Sequence, residues 1–114
     1  MMLDWNEYQK QIASNNAEIG RANHEILKGY RGLSNAGNAT NLLGPKVREL
    51  IALAVAVTRQ CDGCIVTHTD AAIKEGATKE EIIEALSVAV AVNAGAALIF
   101  SSRVIDAFNA KTSV

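Results

Sequence analysis

Residues 44–76 read GPKVRELIALAVAVTRQCDGCIVTHTDAAIKEG, and this stretch decides the fold class. Pro45 suits the first position of a helix, because its missing N–H would have no partner there and its φ is already helical. Apolar residues then recur at helical spacing. We predict a helix from Pro45 to about Arg59, a short turn, and a second helix to about Glu75. Gly76 follows where a helix C-terminal glycine is expected.

Downstream, Thr78 and Glu81 form a capping box, so another helix begins there. Residues 85–100 have almost no polar face, and a helix that is apolar all round is buried on all sides. A domain of this size has difficulty enclosing such a helix alone, so we expect a homo-oligomer. A central helix in a compact monomer is the alternative. The Asn-Ala-Gly run at residues 93–95 is a candidate interruption of the helix, and a last helix is expected to run through Phe108.

Upstream, apolar residues fit helical spacing from Asp4 to about Tyr30. The polar run at residues 14–16 is a candidate break. Residues 32–41 are rich in Gly, Ser and Asn and predict a loop. With a single proline in the chain, these patterns predict an all-α, single-domain helical bundle over residues 1–114, with about five to six helices.

Composition excludes several classes of function. With 11 basic and 12 acidic residues, the net charge is −1, and no basic stripe is present to bind nucleic acid. The N-terminus lacks the basic and apolar regions of a secretory signal. The apolar stretch at residues 85–100, interrupted by polar residues, is shorter than the ~20 apolar residues that a membrane span needs. We therefore expect a soluble, cytoplasmic protein without a membrane partner.

The candidate functional residues are Cys61, Cys64, His68 and Glu49. If a helix begins near Cys61, the two cysteines lie one turn apart with Cα atoms about 5–6 Å apart, which is within disulfide reach. His68 follows one turn after Cys64 on the same face. Glu49 stands in an apolar helix, and a buried carboxylate there needs a partner. A structural staple is not expected, because the loop that a CxxC disulfide closes is too short to stabilise much.

These four groups are suited to thiol chemistry. The thiolate is the reactive form of cysteine, and a free thiol with a pKa of ~8.5 is mostly protonated at neutral pH. A helix N-terminus lowers that pKa, and an imidazole can take the proton. A carboxylate can orient the imidazole and stabilise its charged form. The set therefore provides a nucleophile, a second thiol, a base and an orienting acid.

Other interpretations stay open on the residues alone. The cysteines and His68 are three of the four ligands of a zinc site, which Glu49 or a water molecule could complete. The cysteines could also be buried and inert. Glu49 could instead form a salt bridge with Arg48 or Arg59.

The spacing of Glu49, Cys61, Cys64 and His68 resembles the signature of alkylhydroperoxidase D-like proteins in the carboxymuconolactone decarboxylase family. The flanking sequence also agrees, and the similarity covers residues 43–108. The resemblance implies an all-α fold assembled as trimers or hexamers, with peroxide-reducing or disulfide-reducing activity. It implies no cofactor and no metal.

Carried over residue by residue, the resemblance makes Cys64 the thiol that attacks a hydroperoxide. Cys61 resolves the sulfenic acid as a disulfide, and His68 and Glu49 form a proton relay. The position of Cys64, one turn from His68, weakly favours the same assignment. The expected partners are a small hydroperoxide and a thiol or dithiol reductant. The alternatives are a decarboxylating lyase, whose chemistry has no evident need for a dithiol, and a non-enzymatic redox-sensing or metal-binding module.

Overall fold

The computed structural model describes residues 1–113, and that part of the chain contains six α-helices, one short 3-10 turn and no strand. The all-α prediction is therefore confirmed. The helices are α1 (Trp5–Ala22), α2 (His24–Ser34), α3 (Pro45–Thr58), α4 (Asp62–Lys74), α5 (Lys79–Phe100) and α6 (Ser102–Thr112), with the 3-10 turn at Ala36–Asn38.

The break in the N-terminal segment lies at Asn23 and not at residues 14–16, so that prediction is wrong. The backbone of Asn23 is extended, with φ −150° and ψ 92°. Its N–H donates to the carbonyl of Ile19 at 2.8 Å, and its side-chain oxygen accepts from the N–H of Glu25 at 3.2 Å. One asparagine thus ends α1 and caps α2.

The predicted loop at residues 32–41 is partly helical, because α2 continues to Ser34 and a 3-10 turn follows. Gly44 then precedes α3 with a φ of +83°, a conformation that glycine adopts without strain. Pro45 occupies the start of α3, as the sequence predicts. The capping box at Thr78 and Glu81 is also present at the start of α5.

The predicted interruption at Asn93 is wrong, because α5 continues through it. The Nδ2 group of Asn93 donates to the carbonyl of Ala89 and to Oγ1 of Thr58, both at 2.8 Å. The polar side chain is therefore hydrogen-bonded without breaking the helix. The chain bends only at Ser101, between α5 and α6.

Helix α3 is the centre of the fold, since it packs along both α4 and α5, while α1 packs on α2 and α4. The buried core is small and entirely apolar in the described residues. Its members come from the three central helices: Leu53, Ala56, Val66, Ala72 and Ala89.

A single chain leaves α5 and α6 largely uncovered. The side chains of Leu98 and Ile99 are each 75% exposed, and Phe108 on α6 is 64% exposed. The radius of gyration is 19.0 Å, whereas a compact domain of this length has about 13 Å. The alternative prediction, in which α5 is the central helix of a compact monomer, is therefore wrong.

Because α5 is uninterrupted, the length argument against a membrane span does not hold. Residues Lys79–Thr112 include an 18-residue window with a mean hydropathy of 2.0, of which 6% is buried. By length and composition alone, this helix is able to cross a membrane.

Candidate functional site

The turn between α3 and α4 places the two cysteines. Helix α3 ends in a Schellman motif, in which the N–H of Gln60 donates to the carbonyl of Val57 and the N–H of Cys61 donates to that of Ala56. Gln60 has a φ of +52°, the left-handed conformation that this motif requires. The motif therefore reverses the chain within two residues and delivers Cys61 to the start of α4.

Cys61 is the N-cap of α4, where its sulfur accepts a hydrogen bond from the N–H of Cys64 at 3.2 Å. The Cα atoms of the two cysteines lie 5.2 Å apart and their sulfurs are bonded as a disulfide. The predicted spacing is therefore confirmed. Both sulfurs lie at the N-terminus of α4, where the helix dipole stabilises negative charge.

Glu49 of α3 and His68 of α4 face each other across the helix pair. Nδ1 of His68 and Oε2 of Glu49 are 2.7 Å apart, and the two side chains are 27% and 24% exposed. This short contact is a strong hydrogen bond when either partner is charged. It fixes the orientation of the imidazole ring and leaves Nε2 as the ring nitrogen available for proton exchange.

Glu49 does not pair with arginine, which was the alternative for this residue. The guanidinium group of Arg48 donates instead to the side-chain oxygens of Asn38 and Asn41, at 2.8 Å each. In the described part of the chain, Glu49 has one charged or polar side-chain partner, His68.

One cavity of about 220 Å³ joins the sulfurs to the imidazole. Cys61, Cys64 and His68 all contribute to its lining, so the redox pair and the base share one space. Glu49 approaches the imidazole through its Nδ1 side. The arrangement places an acid, a base and two sulfurs in the order that a proton relay to a thiol requires.

The opposite wall of this cavity comes from α1 and α2, and sequence reasoning missed it. Ile12, Asn16 and Tyr30 line the cavity. Ile12 and Asn16 are four residues apart, which puts them on one face of α1. That face was visible in the sequence, but nothing in a local pattern indicated that it lies over the cysteine turn.

Two contacts hold α1 against α4. The terminal methyl group of Ile12 lies over Gly63, so closely that a Cβ added to the glycine would be 2.8 Å from it. Further along, Nε2 of Gln9 donates to Oδ2 of Asp70 at 3.4 Å. Hydrogen bonds from Lys74 and then from Gln9 lower the pKa of the Asp70 carboxyl group, which therefore accepts these bonds as an anion at neutral pH.

The zinc interpretation requires several ligands around one point. Within residues 1–113, no group of three or more His, Cys, Asp or Glu side chains is arranged to hold a metal ion. The described residues thus add nothing in favour of a metal centre.

Comparison with known proteins identifies a family and several relatives. A profile of the carboxymuconolactone decarboxylase family matches residues 24–107. An uncharacterized protein of Haemophilus influenzae is 40% identical over 109 residues, which is 96% of each chain. Uncharacterized protein 4 in the cox locus of Paracoccus denitrificans is 40% identical over 86 residues, covering 75% of this chain and 78% of that protein.

A solved structure is also similar to this chain. It is the apo form of a carboxymuconolactone decarboxylase family protein from Legionella pneumophila, with a TM-score of 0.74 and 33% sequence identity. The match covers 92% of this chain and 94% of the other. It therefore includes α1, which lies outside the residues that the family profile matches.

Proposed function

The chain belongs to the carboxymuconolactone decarboxylase family, and we propose that within this family it is a thiol-dependent peroxidase of the alkylhydroperoxidase D-like kind. The observation that supports this most is the 2.7 Å contact between His68 and Glu49, with His68 lining the same cavity as both sulfurs. A structural disulfide would have no use for an oriented base beside it.

In the proposed reaction, the reduced enzyme begins with both cysteines as thiols. The base His68 takes the proton of Cys64, and the thiolate attacks the terminal oxygen of a hydroperoxide ROOH. The O–O bond breaks, Cys64 becomes a sulfenic acid, and the alkoxide leaves as ROH with the proton that His68 returns. Sulfur is oxidised by two electrons and the peroxide is reduced by two.

Cys61 then attacks the sulfenic sulfur, which forms the Cys61–Cys64 disulfide and releases water. A dithiol reductant restores both thiols by exchange and leaves as its own disulfide. The reaction therefore suits a reducing compartment such as the cytoplasm. A lactone decarboxylase would leave the two sulfurs without a role.

The test is peroxide consumption with excess dithiol, which compares the wild type with Cys64→Ser and Cys61→Ser. Since the chain has only two cysteines, counting the protein's free thiols after the dithiol has been removed reports directly on this pair. We expect sustained turnover in the wild type and background rates in Cys64→Ser. In a separate reaction of the reduced protein without dithiol, Cys61→Ser is expected to consume one equivalent of peroxide and stop as a sulfenic acid that dimedone traps.

Equal rates in the wild type and Cys64→Ser would refute the peroxidase proposal. A disulfide that forms once, without turnover under any dithiol, would instead identify a redox sensor. Full lactone decarboxylation by both cysteine variants would identify the lyase.

We further propose that the working form is a homo-oligomer, a trimer or hexamer as the resemblance implies. The exposed apolar face of α5 and α6 requires burial, and a second copy of the chain buries it at a lower cost than a lipid bilayer would. Helix α5 packs along α3, which carries the charged residues Lys46, Arg48 and Glu49. Burying α5 in lipid would bring these charges toward the hydrocarbon region at a cost of several kcal/mol, about 2.5–3.5 for each Arg or Lys at the centre.

A further inference from the structure

We propose that the α1–α2 hairpin is the substrate-selecting wall of the redox site, with Ile12 and Tyr30 limiting the bulk of the group that a hydroperoxide carries to Cys64. This inference rests on the proposed peroxidase function and deepens it. It assigns a specificity role to two residues outside the motif of Glu49, Cys61, Cys64 and His68.

Ile12 restricts the inner part of the cavity. Its terminal methyl group lies directly over Gly63, the residue that precedes Cys64. Its side chain is only partly exposed, and it lines the same cavity as both sulfurs. A bulky carbon next to the O–O bond would therefore meet Ile12 before the oxygen reached the sulfur.

Tyr30 lies at the mouth of the cavity. It is 60% exposed and yet contributes to the lining from α2, opposite the cysteines. In the proposed reaction the terminal oxygen points toward Cys64, so the organic group R points back toward the mouth. The ring of Tyr30 is therefore the surface that R passes or contacts.

The cavity volume sets the scale of the limit. A cavity of about 150 Å³ holds one benzene molecule, and this cavity measures about 220 Å³. One phenyl-sized group therefore fills most of it. Hydrogen peroxide and compact alkyl hydroperoxides should enter the cavity freely. A hydroperoxide whose tertiary carbon bears an aromatic ring should react with Cys64 more slowly, because Ile12 and Tyr30 obstruct its entry.

The wall is held in place by contacts distinct from the redox residues. Gln9 bonds Asp70 from the same helix that carries Ile12, and Asn23 fixes the junction between α1 and α2. Ile12→Ala removes one of the two contacts between α1 and α4, while the Gln9–Asp70 hydrogen bond and the junction at Asn23 still hold the helix. Tyr30 is too exposed for its loss to unfold the chain, so Tyr30→Ala widens the cavity without removing a contact between α1 and α4.

The first experiment measures the rate of oxidation of the reduced full-length protein by hydrogen peroxide, tert-butyl hydroperoxide and cumene hydroperoxide. The variants are Ile12→Ala and Tyr30→Ala, with Ile19→Ala on α1 and Leu33→Ala on α2 as controls. We expect the rate ratio of cumene hydroperoxide to hydrogen peroxide to rise about tenfold in the two wall variants, the scale of a pocket that loses a few carbon atoms. The controls should keep the wild-type ratio.

The second experiment does not depend on peroxide activity. The reduced protein is alkylated with N-ethylmaleimide and with the larger N-(1-pyrenyl)maleimide, and the ratio of the two rates is compared among the same variants. Ile12→Ala and Tyr30→Ala should raise the relative rate of the pyrenyl reagent.

An unchanged alkylation ratio in both wall variants would overturn the proposal, and so would a peroxide ratio that matches the controls. If no peroxide oxidises the wild-type thiols, the proposed function fails, while the alkylation ratios still decide whether Ile12 and Tyr30 form the wall.

Discussion

Replacing Glu49 by glutamine tests the proton relay, because the variant keeps the size and hydrogen-bonding capacity of the side chain and removes only its charge. Glu49 is 2.7 Å from Nδ1 of His68. A hydrogen bond to a charged group contributes about 1.5–3 kcal/mol, against about 0.5–1.5 kcal/mol for a neutral one. At the lower end of both ranges the difference is about 1 kcal/mol, which corresponds to a factor of about five.

Both side chains are about a quarter exposed, so water screens the pair in part and the lower end of the range applies. We therefore expect the thiols of Glu49→Gln to be oxidised about fivefold more slowly than those of the wild type at pH 7. His68→Gln removes the base itself and should lower the rate of thiol oxidation about a hundredfold. The assay follows thiol loss after mixing with hydrogen peroxide and acid quenching.

The pH dependence separates a relay role from a structural one. Above pH 9 an ordinary thiol, with a pKa of about 8.5, is already mostly thiolate, so the rates of Glu49→Gln and the wild type should converge. Glu80→Gln changes an exposed carboxylate in the first turn of α5 and serves as the matched control. A Glu49→Gln rate within twofold of the wild type at pH 7, or a defect of equal size at every pH, would refute the reasoning.

Three further outcomes are expected. Gly76→Ala should lower the free energy of unfolding by about 1 kcal/mol, because Gly76 has a φ of +84°. Gly29→Ala, in the middle of α2, should raise the free energy of unfolding by about 0.4–1 kcal/mol. Chemical denaturation that finds Gly76→Ala more stable than Gly29→Ala would contradict this prediction. The hydrogen bond from Lys46 is the main reason that the pKa of Glu81 lies below its ordinary value of 4.5. This carboxylate therefore stabilises the fold above pH 4.5, and the contribution is lost as the pH falls through the lowered pKa. Glu81→Gln should make the free energy of unfolding less dependent on pH in that range, and an unchanged acid-unfolding curve would argue against the ion pair. Light scattering should give a mass several times the 12.1 kDa of one chain, and Leu98→Asp should reduce it; a monomeric wild type would remove the oligomer proposal.

The centre of the fold could be predicted from the sequence because its signals are local. Pro45, the capping box at Thr78 and the C-terminal glycine Gly76 each act within one helical turn, and all three appear where they were expected. The residues alone indicated that Glu49 needs a partner but left Arg48, Arg59 and His68 open, and the pairing with His68 was implied by the family resemblance.

The errors came from polar residues whose partners lie far along the chain or on the backbone. Asn93 is compatible with a continuous helix because Thr58, on another helix, accepts its amide proton. Asn23 breaks the N-terminal segment because its backbone N–H bonds the end of α1 and its side chain caps α2, a role that composition does not distinguish from the polar run at residues 14–16. The wall residues Ile12 and Tyr30 meet the cysteines only through tertiary packing, which leaves no trace in local spacing.

The small core has a thermodynamic consequence for the chain. Among the described residues only five apolar side chains are buried, three of them alanine, whereas the loss of conformational freedom on folding is of order 100–200 kcal/mol for a domain of about this size. In the homo-oligomer that we propose, association buries further apolar surface, so folding and association form a single equilibrium that depends on protomer concentration. Dilution of such an oligomer favours unfolded protomers, and its melting temperature therefore rises with protein concentration.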